Sequence, residues 1–224
     1  MRNLIIVGSG AVAAELTAYI EDSNKYLADS EKWAITGYLD AEENISKYWA
    51  KYKLDKPVLS DVYSYAITGN ESFIVGISNI SFRRKMTDVL IEKGADIISF
   101  IHPGAIVAKS AILGRQNIVY PFCIIGPNAV IGDNNLFTSY SFISHDCKVG
   151  NDNFFSTAGL SGHVAVGNEN YFGIRATVLP NVSIGNRNTI QAGMTVDKNV
   201  PDDSLIFHRF KEKVLSIGNP RKDV

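Results

Sequence analysis

The sequence predicts a parallel β-helix preceded by a small α/β domain, and a period of six carries most of that prediction. Counted in steps of six from Ile101, apolar residues recur at Val107, Leu113, Val119, Ile125, Ile131, Phe137, Ile143, Val149 and Phe155. One residue is then dropped, and the series resumes at Leu160 and runs through Val166, Phe172, Val178, Ile184 and Ile190 to Val196. The position after each step is often small, as at Ala108, Gly114, Gly126, Ser144, Gly150 and Ser161. Neither an α-helix nor an antiparallel strand has this period. A hexapeptide repeat marks stacked coils that bury one continuous core. Before residue 101 the rhythm is different: short apolar runs alternate with amphipathic stretches, which argues a small parallel sheet of Rossmann type. The boundaries that follow are residues 1–100 for the α/β domain, 101–200 for the β-helix and 201–224 for a C-terminal tail.

Within the first part, Leu4 to Val7 reads as a buried strand, Gly8-Ser9-Gly10 as a turn, and Ala11 to Ile20 as a helix. Trp33 to Leu39 is a second strand that ends at Asp40; Ser72 to Ile77 is a third, and Phe82 to Lys93 an amphipathic helix stopped by Gly94. Gly8-x-Gly10-x-x-Ala13 has the spacing of a dinucleotide fingerprint, whose glycines let backbone N–H groups approach a phosphate. A tight strand-to-helix turn without a ligand would have the same spacing. About 100 residues suit a nucleotide or nucleotide-sugar half-site better than a full two-lobed dinucleotide domain. Asp40, at the carboxyl end of its strand, is a candidate for ribose or sugar hydroxyls, or a solvated turn residue beside Glu42 and Glu43. Ser78 and Asn79, with Arg83 behind them, are candidates for a phosphate; the alternative is a helix N-cap followed by two solvent-facing arginines, Arg83 and Arg84.

Composition narrows the function. A formal net charge of −1 over 224 residues, with no run of Lys or Arg, leaves no electrostatic footprint for nucleic acid. The first apolar run stops at Gly8, too short for a signal peptide or membrane insertion, so a cytoplasmic location is expected. Cys123 and Cys147 both occupy the fifth place of their hexads, where small residues recur, and read as buried thiols.

Four histidines are few enough to weigh singly. His102 sits at the mouth of the β-helix and reads as structural; His208 lies in the tail beside Arg209; His163 reads as a corner residue just past the dropped position. His145 is the catalytic candidate. It lies two residues past an inward Ile, close to a coil corner, with Asp146 next to it and the break in period a dozen residues on. Breaks in a regular array gather near functional sites. Imidazole suits proton removal at neutral pH, and a carboxylate can fix its tautomer. Neighbours on a strand point to opposite faces, so Asp146 reaches His145 only if the pair turns a corner.

The motifs resemble those of the left-handed β-helix nucleotide-sugar acetyltransferases of the PglD/NeuD type. Those residues are Leu4-Ile-Ile-Val-Gly-Ser-Gly, Gly76-Ile-Ser-Asn with Arg83, Ile101-His-Pro-Gly-Ala, Ser144-His-Asp-Cys, and Gly173-Ile-Arg-Ala-Thr-Val through Gln191-Ala-Gly-Met. The resemblance implies a left-handed helix, a homotrimer, acetyl-CoA as acyl donor and a nucleotide-activated amino-sugar as acceptor, for surface glycan or glycoprotein synthesis. It also implies that His145 is the general base, that Asp146 is its partner, and that the Gly162 N–H faces the thioester oxygen. Gly173, Ala176, Ala192 and Gly193 would line the pantetheine arm. The chain departs from the pattern in two places. Phe154 stands where relatives often carry a second histidine, and Ile206-Phe-His-Arg-Phe-Lys-Glu-Lys replaces their closing Gly-x-Pro segment.

The rivals are an O-acetyltransferase of a sugar hydroxyl, a nucleotide-sugar-binding protein without catalysis, and a γ-type carbonic anhydrase. The last needs three histidines on zinc. His145 and His163 are one coil apart, but the dropped residue is expected to spoil their stacking and no third histidine is near, so no metal is expected. The stretch from Ser139 to Phe155, with Tyr140, Phe142, Phe154 and Phe155, is the candidate subunit interface.

Overall fold

The computed structural model describes residues 1–41 and 50–208. Strand β1 (Arg2–Val7) lies at the centre of a parallel five-stranded sheet. Its neighbours are β2 (Trp33–Leu39), β3 (Val58–Ser60), β4 (Glu71–Val75) and β5 (Asp96–Ile97), in the order β3-β2-β1-β4-β5. The sequence alone did not single out β3 or β5, which are three and two residues long. Leu4 and Ile6 face α1 (Ala11–Ser23), while Ile5 and Val7 face α2 (Ile80–Glu92), so the strand is apolar on both sides.

From Phe100 the chain winds as a parallel β-helix with three faces of seven, six and five two-residue strands. On each strand one side chain points in and one out. The inward residues of the six-step series are buried from Val119 to Val196, and Phe137, Phe155 and Phe172 stack at 4.9 and 4.4 Å. Ile101, at the open end, is 42% exposed because no coil lies beneath it. An internal ladder links the coils, in which Asn117, Asn135, Asn153 and Asn170 each accept from the backbone N–H of the asparagine one coil on.

The corners have their own period. A residue with φ between about +49° and +65° turns the chain at nearly every sixth place from Gln116 to Asn181. Asparagine and aspartate tolerate this left-handed conformation best, and they hold many of these places. The dropped residue shortens one interval: Asp152 and Thr157 are successive corners. Pairing across that coil is therefore seventeen residues apart (Phe142 with Gly159, Lys148 with Ala165) instead of eighteen (Ile124 with Phe142).

The N-terminal elements pack on the seven-stranded face. Its outward residues Ile118, Leu136 and Phe154 are buried against them, and the Tyr120 hydroxyl donates to the Val12 carbonyl at 3.4 Å. Arg83 completes the join. It is 1% exposed, and its guanidinium donates to the carbonyls of Asn134 and Asn153 at 3.2 and 3.1 Å.

The interface expectation changes accordingly. Phe155 is interior and Phe154 is covered by the N-terminal part, whereas Tyr140 and Phe142 are exposed. With them, Ile106, Phe122 and Ile124 form an apolar strip along the six-stranded face and its preceding corner. Both cysteines are free and buried; burial pushes the Cys123 thiol up to about 11. Among the described residues no helix is long and apolar enough to cross a membrane.

Candidate active site

His145 follows an outward turn from the strand Phe142–Ile143, and Asp146 occupies the corner itself at φ +58°. The corner bends the two side chains onto one side, and His145 Nδ1 lies 2.8 Å from Asp146 Oδ2. The geometric condition set by strand alternation is met. The pair fixes the tautomer: Nδ1–H donates to the carboxylate, and Nε2 is left with a free lone pair. Asn128, one coil below in the same corner column, donates from Nδ2 to Asp146 Oδ1 at 3.3 Å. These bonds, that of His145 first, hold the Asp146 carboxyl below the usual aspartate range.

The shortened coil decides what lies above. At a spacing of seventeen, Gly162 lies over His145 and His163 over Asp146. A side chain at Gly162 would begin 2.6 Å from His145 Cε1 and 2.7 Å from Nε2, so only glycine leaves room for the ring. The Gly162 carbonyl accepts from Asn181, while its own N–H meets no acceptor among the described residues. His163 has φ +60°, and its ring stands edge-on to His145 at 5.1 Å with Nε2 3.9 Å from Asp146 Oδ2. The dropped residue thus takes His163 off the position above His145, as expected, yet the two rings still meet edge to face. A groove of about 480 Å³ runs from His145 along Ser144, Pro127, Gly126, Ile124 and Phe142.

The other predicted donor-site residues are placed differently. Gly173, Ala192 and Gly193 lie at the corner that precedes the six-stranded face, whereas His145 and Gly162 lie at the corner that follows it. Ala176 does not line a surface at all: its side chain is 0% exposed in the core, its N–H donates to Gly173 and its carbonyl accepts from Gly159.

The N-terminal candidates converge, with one exception. A pocket of about 380 Å³ at the carboxyl ends of β1, β2 and β4 is lined by Gly8, Ser9, Gly10, Asp40, Ser78 and Asn79. Strand order reverses between β1 and β4, and ligands of open parallel sheets bind at such a point. Gly8 has φ +103°, and a Cβ there would sit 2.9 Å from the Gly76 carbonyl, so the turn requires glycine. Ser9 donates to Asp40 Oδ2 from its backbone N–H (2.7 Å) and its hydroxyl (2.5 Å), which orients the carboxylate at the rim. Asn79 caps α2 by accepting from the Phe82 N–H at 2.9 Å. Arg83 is absent from this pocket because its side chain turns inward to the β-helix. Arg84 faces solvent, as the alternative reading expected, and pairs with Glu169 at 2.7 Å, whereas Arg83 is neither solvent-facing nor in the pocket. Glu42, Glu43 and the tail from Arg209 lie outside the described residues, while His208 is exposed.

Sequence reasoning missed His163 and Asn128 as members of the His145 corner. Counting seventeen across the dropped residue would have found the first, and counting eighteen back from Asp146 the second.

No protein-family model and no curated protein matches the chain. Solved structures do. PerB from Caulobacter crescentus, in complex with CoA and GDP-perosamine, is 26% identical over 92% of this chain and 93% of that one, with a TM-score of 0.78. The architecture is shared with nucleotide-sugar acetyltransferases. A histidine-to-asparagine variant of perosamine N-acetyltransferase from the same organism gives 24% identity over 92% and 93%, with a TM-score of 0.78. The acetyltransferase domain of PglB from Neisseria gonorrhoeae, in complex with acetyl coenzyme A, gives 22% over 91% and 95%, with a TM-score of 0.76.

Proposed function

We propose that the protein transfers an acetyl group from acetyl-CoA to the amine of a nucleotide-activated amino-sugar. The observation that carries this is the His145–Asp146 pair under Gly162, at 2.8 Å, in a fold shared along its length with PerB. His145 Nε2 takes the proton from the amine as its nitrogen attacks the thioester carbonyl. The Gly162 N–H stabilises the oxyanion, and the imidazolium then returns the proton to the departing sulfur. Asp146 holds the ring in place and fixes its tautomer. The groove beside Phe142 and Ile124 is apolar, which suits the pantetheine arm of the donor.

The pocket of the N-terminal part would hold the nucleotide-sugar, with Asp40 on hydroxyls and the Gly8 and Ser78–Asn79 turns on phosphate. We read residues 1–100 as a Rossmann-like domain, and 101–200 as a left-handed β-helix.

A single chain cannot complete this site. The N-terminal part covers the seven-stranded face, and the His145 corner is the corner of the prism opposite that face. Gly173, Ala192 and Gly193 are likewise one face away. A homotrimer packed through the apolar strip would bring the preceding corner of one prism against the His145 corner of the next, and a neighbour's sugar pocket with it. A chain of this kind, acting on nucleotide-sugars before they enter surface glycans, is expected in the cytoplasm.

The test is thiol release from acetyl-CoA with a panel of UDP-, dTDP-, GDP- and CMP-linked amino-sugars, preceded by thermal stabilisation. A ligand at one hundred times its Kd adds about 3 kcal/mol. Release with none of the panel, despite stabilisation by one of them, would replace catalysis with binding. Light scattering should give three times the 24.6 kDa chain mass. An active monomer would remove the shared site.

A further inference from the structure

We propose that His145, Asp146 and His163 form a binding site for a borderline divalent transition metal, Zn²⁺ above all, and that occupancy shuts off the acetyl transfer. The shutting-off rests on the function proposed above, whereas the binding does not.

Three observations support a site rather than a chance cluster. The ligand atoms of the three side chains all lie within 4.8 Å of one another. Donors around a tetrahedral zinc at about 2.1 Å stand roughly 3.4 Å apart, so small side-chain rotations close the set. The three residues sit on two adjacent coils of one corner, with half-exposed side chains free to make those rotations. The donor set is two imidazoles and one carboxylate, the composition that zinc takes when a position stays open for water or substrate. Asn128 holds the remaining oxygen, Oδ1, and so leaves Oδ2 aimed at both rings, an outer contact of the kind that orients metal ligands.

The consequence for the reaction is direct. A metal on this trio would engage His145 and replace its hydrogen bond to Asp146, and the base would lose the orientation and lone pair that the transfer uses. Zinc is therefore expected as an inhibitor, and chelators should leave the enzyme active.

His163→Asn separates the possibilities. Asparagine already occupies this corner column at Asn128 and Asn181 with φ +57° and +63°, so the variant keeps the fold. It removes one imidazole and keeps the 2.8 Å pair of His145 and Asp146. Calorimetric titration of the purified protein with ZnCl₂ in a non-coordinating buffer should give one Zn²⁺ per chain for the wild type, weakened by about tenfold or more in the variant. Where an acceptor is in hand, Zn²⁺ should inhibit the wild type and spare His163→Asn at equal concentration, each measured against its own turnover in EDTA. Wild-type protein that takes up no Zn²⁺ below millimolar concentration overturns the site, as does equal affinity in the variant. The titration needs no acceptor, so a protein that binds Zn²⁺ through His163 but transfers no acetyl group keeps the site and refutes only the reaction.

Discussion

The two candidate sites on this chain are built by opposite means. The N-terminal pocket is made of backbone: turns at Gly8 and at Ser78–Asn79 leave N–H groups at the ends of parallel strands, and one carboxylate, Asp40, is oriented by Ser9. The His145 corner is made of side chains in register, and what each touches depends on how many residues the coil holds. A pocket of the first kind tolerates many side chains provided Gly8 remains. A site of the second kind is set by a count. A one-residue slip of register, to a spacing of eighteen without an added residue, would put His163 over His145 in place of Gly162 and fill the space that the ring now has.

The largest effect should come from the corner. His145→Ala is expected to lower turnover by about 10²- to 10⁴-fold, the usual cost of losing a general base. It should leave melting and assembly unchanged, since the side chain is about half exposed. Steady-state kinetics with the true acceptor check this, and a variant with more than half of wild-type turnover would sink the assignment.

Next in size is the joint between the two regions. Burial brings the Arg83 guanidinium down to about 10, so it stays charged at neutral pH. Arg83→Met keeps the volume but strands the carbonyl of Asn134 and removes a second donor from that of Asn153, which keeps the Leu136 N–H; it should cost about 1–3 kcal/mol of unfolding free energy. Urea denaturation reads this directly. Wild-type stability would mean that packing of Ile118, Leu136 and Phe154 alone holds the sheet to the β-helix.

The same contrast explains what the sequence could disclose. The inward series from Val119 to Val196, the sheet strands β1, β2 and β4, and the glycine turn were legible because they rest on local period and backbone demand. His145 and Asp146 were legible as neighbours at a corner. The membership of His163 was not, because a coil of seventeen shifts the contacts above His145 by one place, and Asn128 carries no local signal, since it meets Asp146 only across a full coil of eighteen. Arg83 resembled a phosphate ligand because its spacing from Ser78 fits one. Its direction was set by carbonyls on two coils some fifty to seventy residues later, which no local pattern encodes. Ala176 was misplaced for a related reason: a small residue suits a crowded interior as well as a ligand-lined corner.

Gly162→Ala tests the count without touching a polar group. The new methyl would start 2.6 Å from the His145 ring, and the ring must swing aside. Turnover should drop by about tenfold or more, since an ångström of misplacement can cost up to 10². The corresponding change in the other pocket, Gly10→Ala, meets nothing within 4 Å and should leave turnover and Tm as they are. If both alanines behave alike, the claim that one site is set by register and the other by backbone fails.

The smallest effect belongs to Asp146→Asn. Asparagine accepts the φ of +58° as readily as aspartate, so the corner should survive, and its amide oxygen can still accept from His145 Nδ1. What is lost is the charge. Turnover is expected to fall by less than tenfold, well short of His145→Ala. The pH dependence carries the sharper signature. His145 and then Asn128 hold the Asp146 carboxyl below its ordinary range, so the folded pKa lies under the unfolded value of about 3.9. A depressed carboxyl contributes stability above the unfolded pKa and loses it as pH falls through the folded one. The Tm of the wild type should therefore decline more steeply below about pH 4 than that of Asp146→Asn, and the two curves should run parallel above pH 5. Parallel curves down to pH 2 would mean that the 2.8 Å contact does not persist in solution, and that His145 is oriented by something other than Asp146.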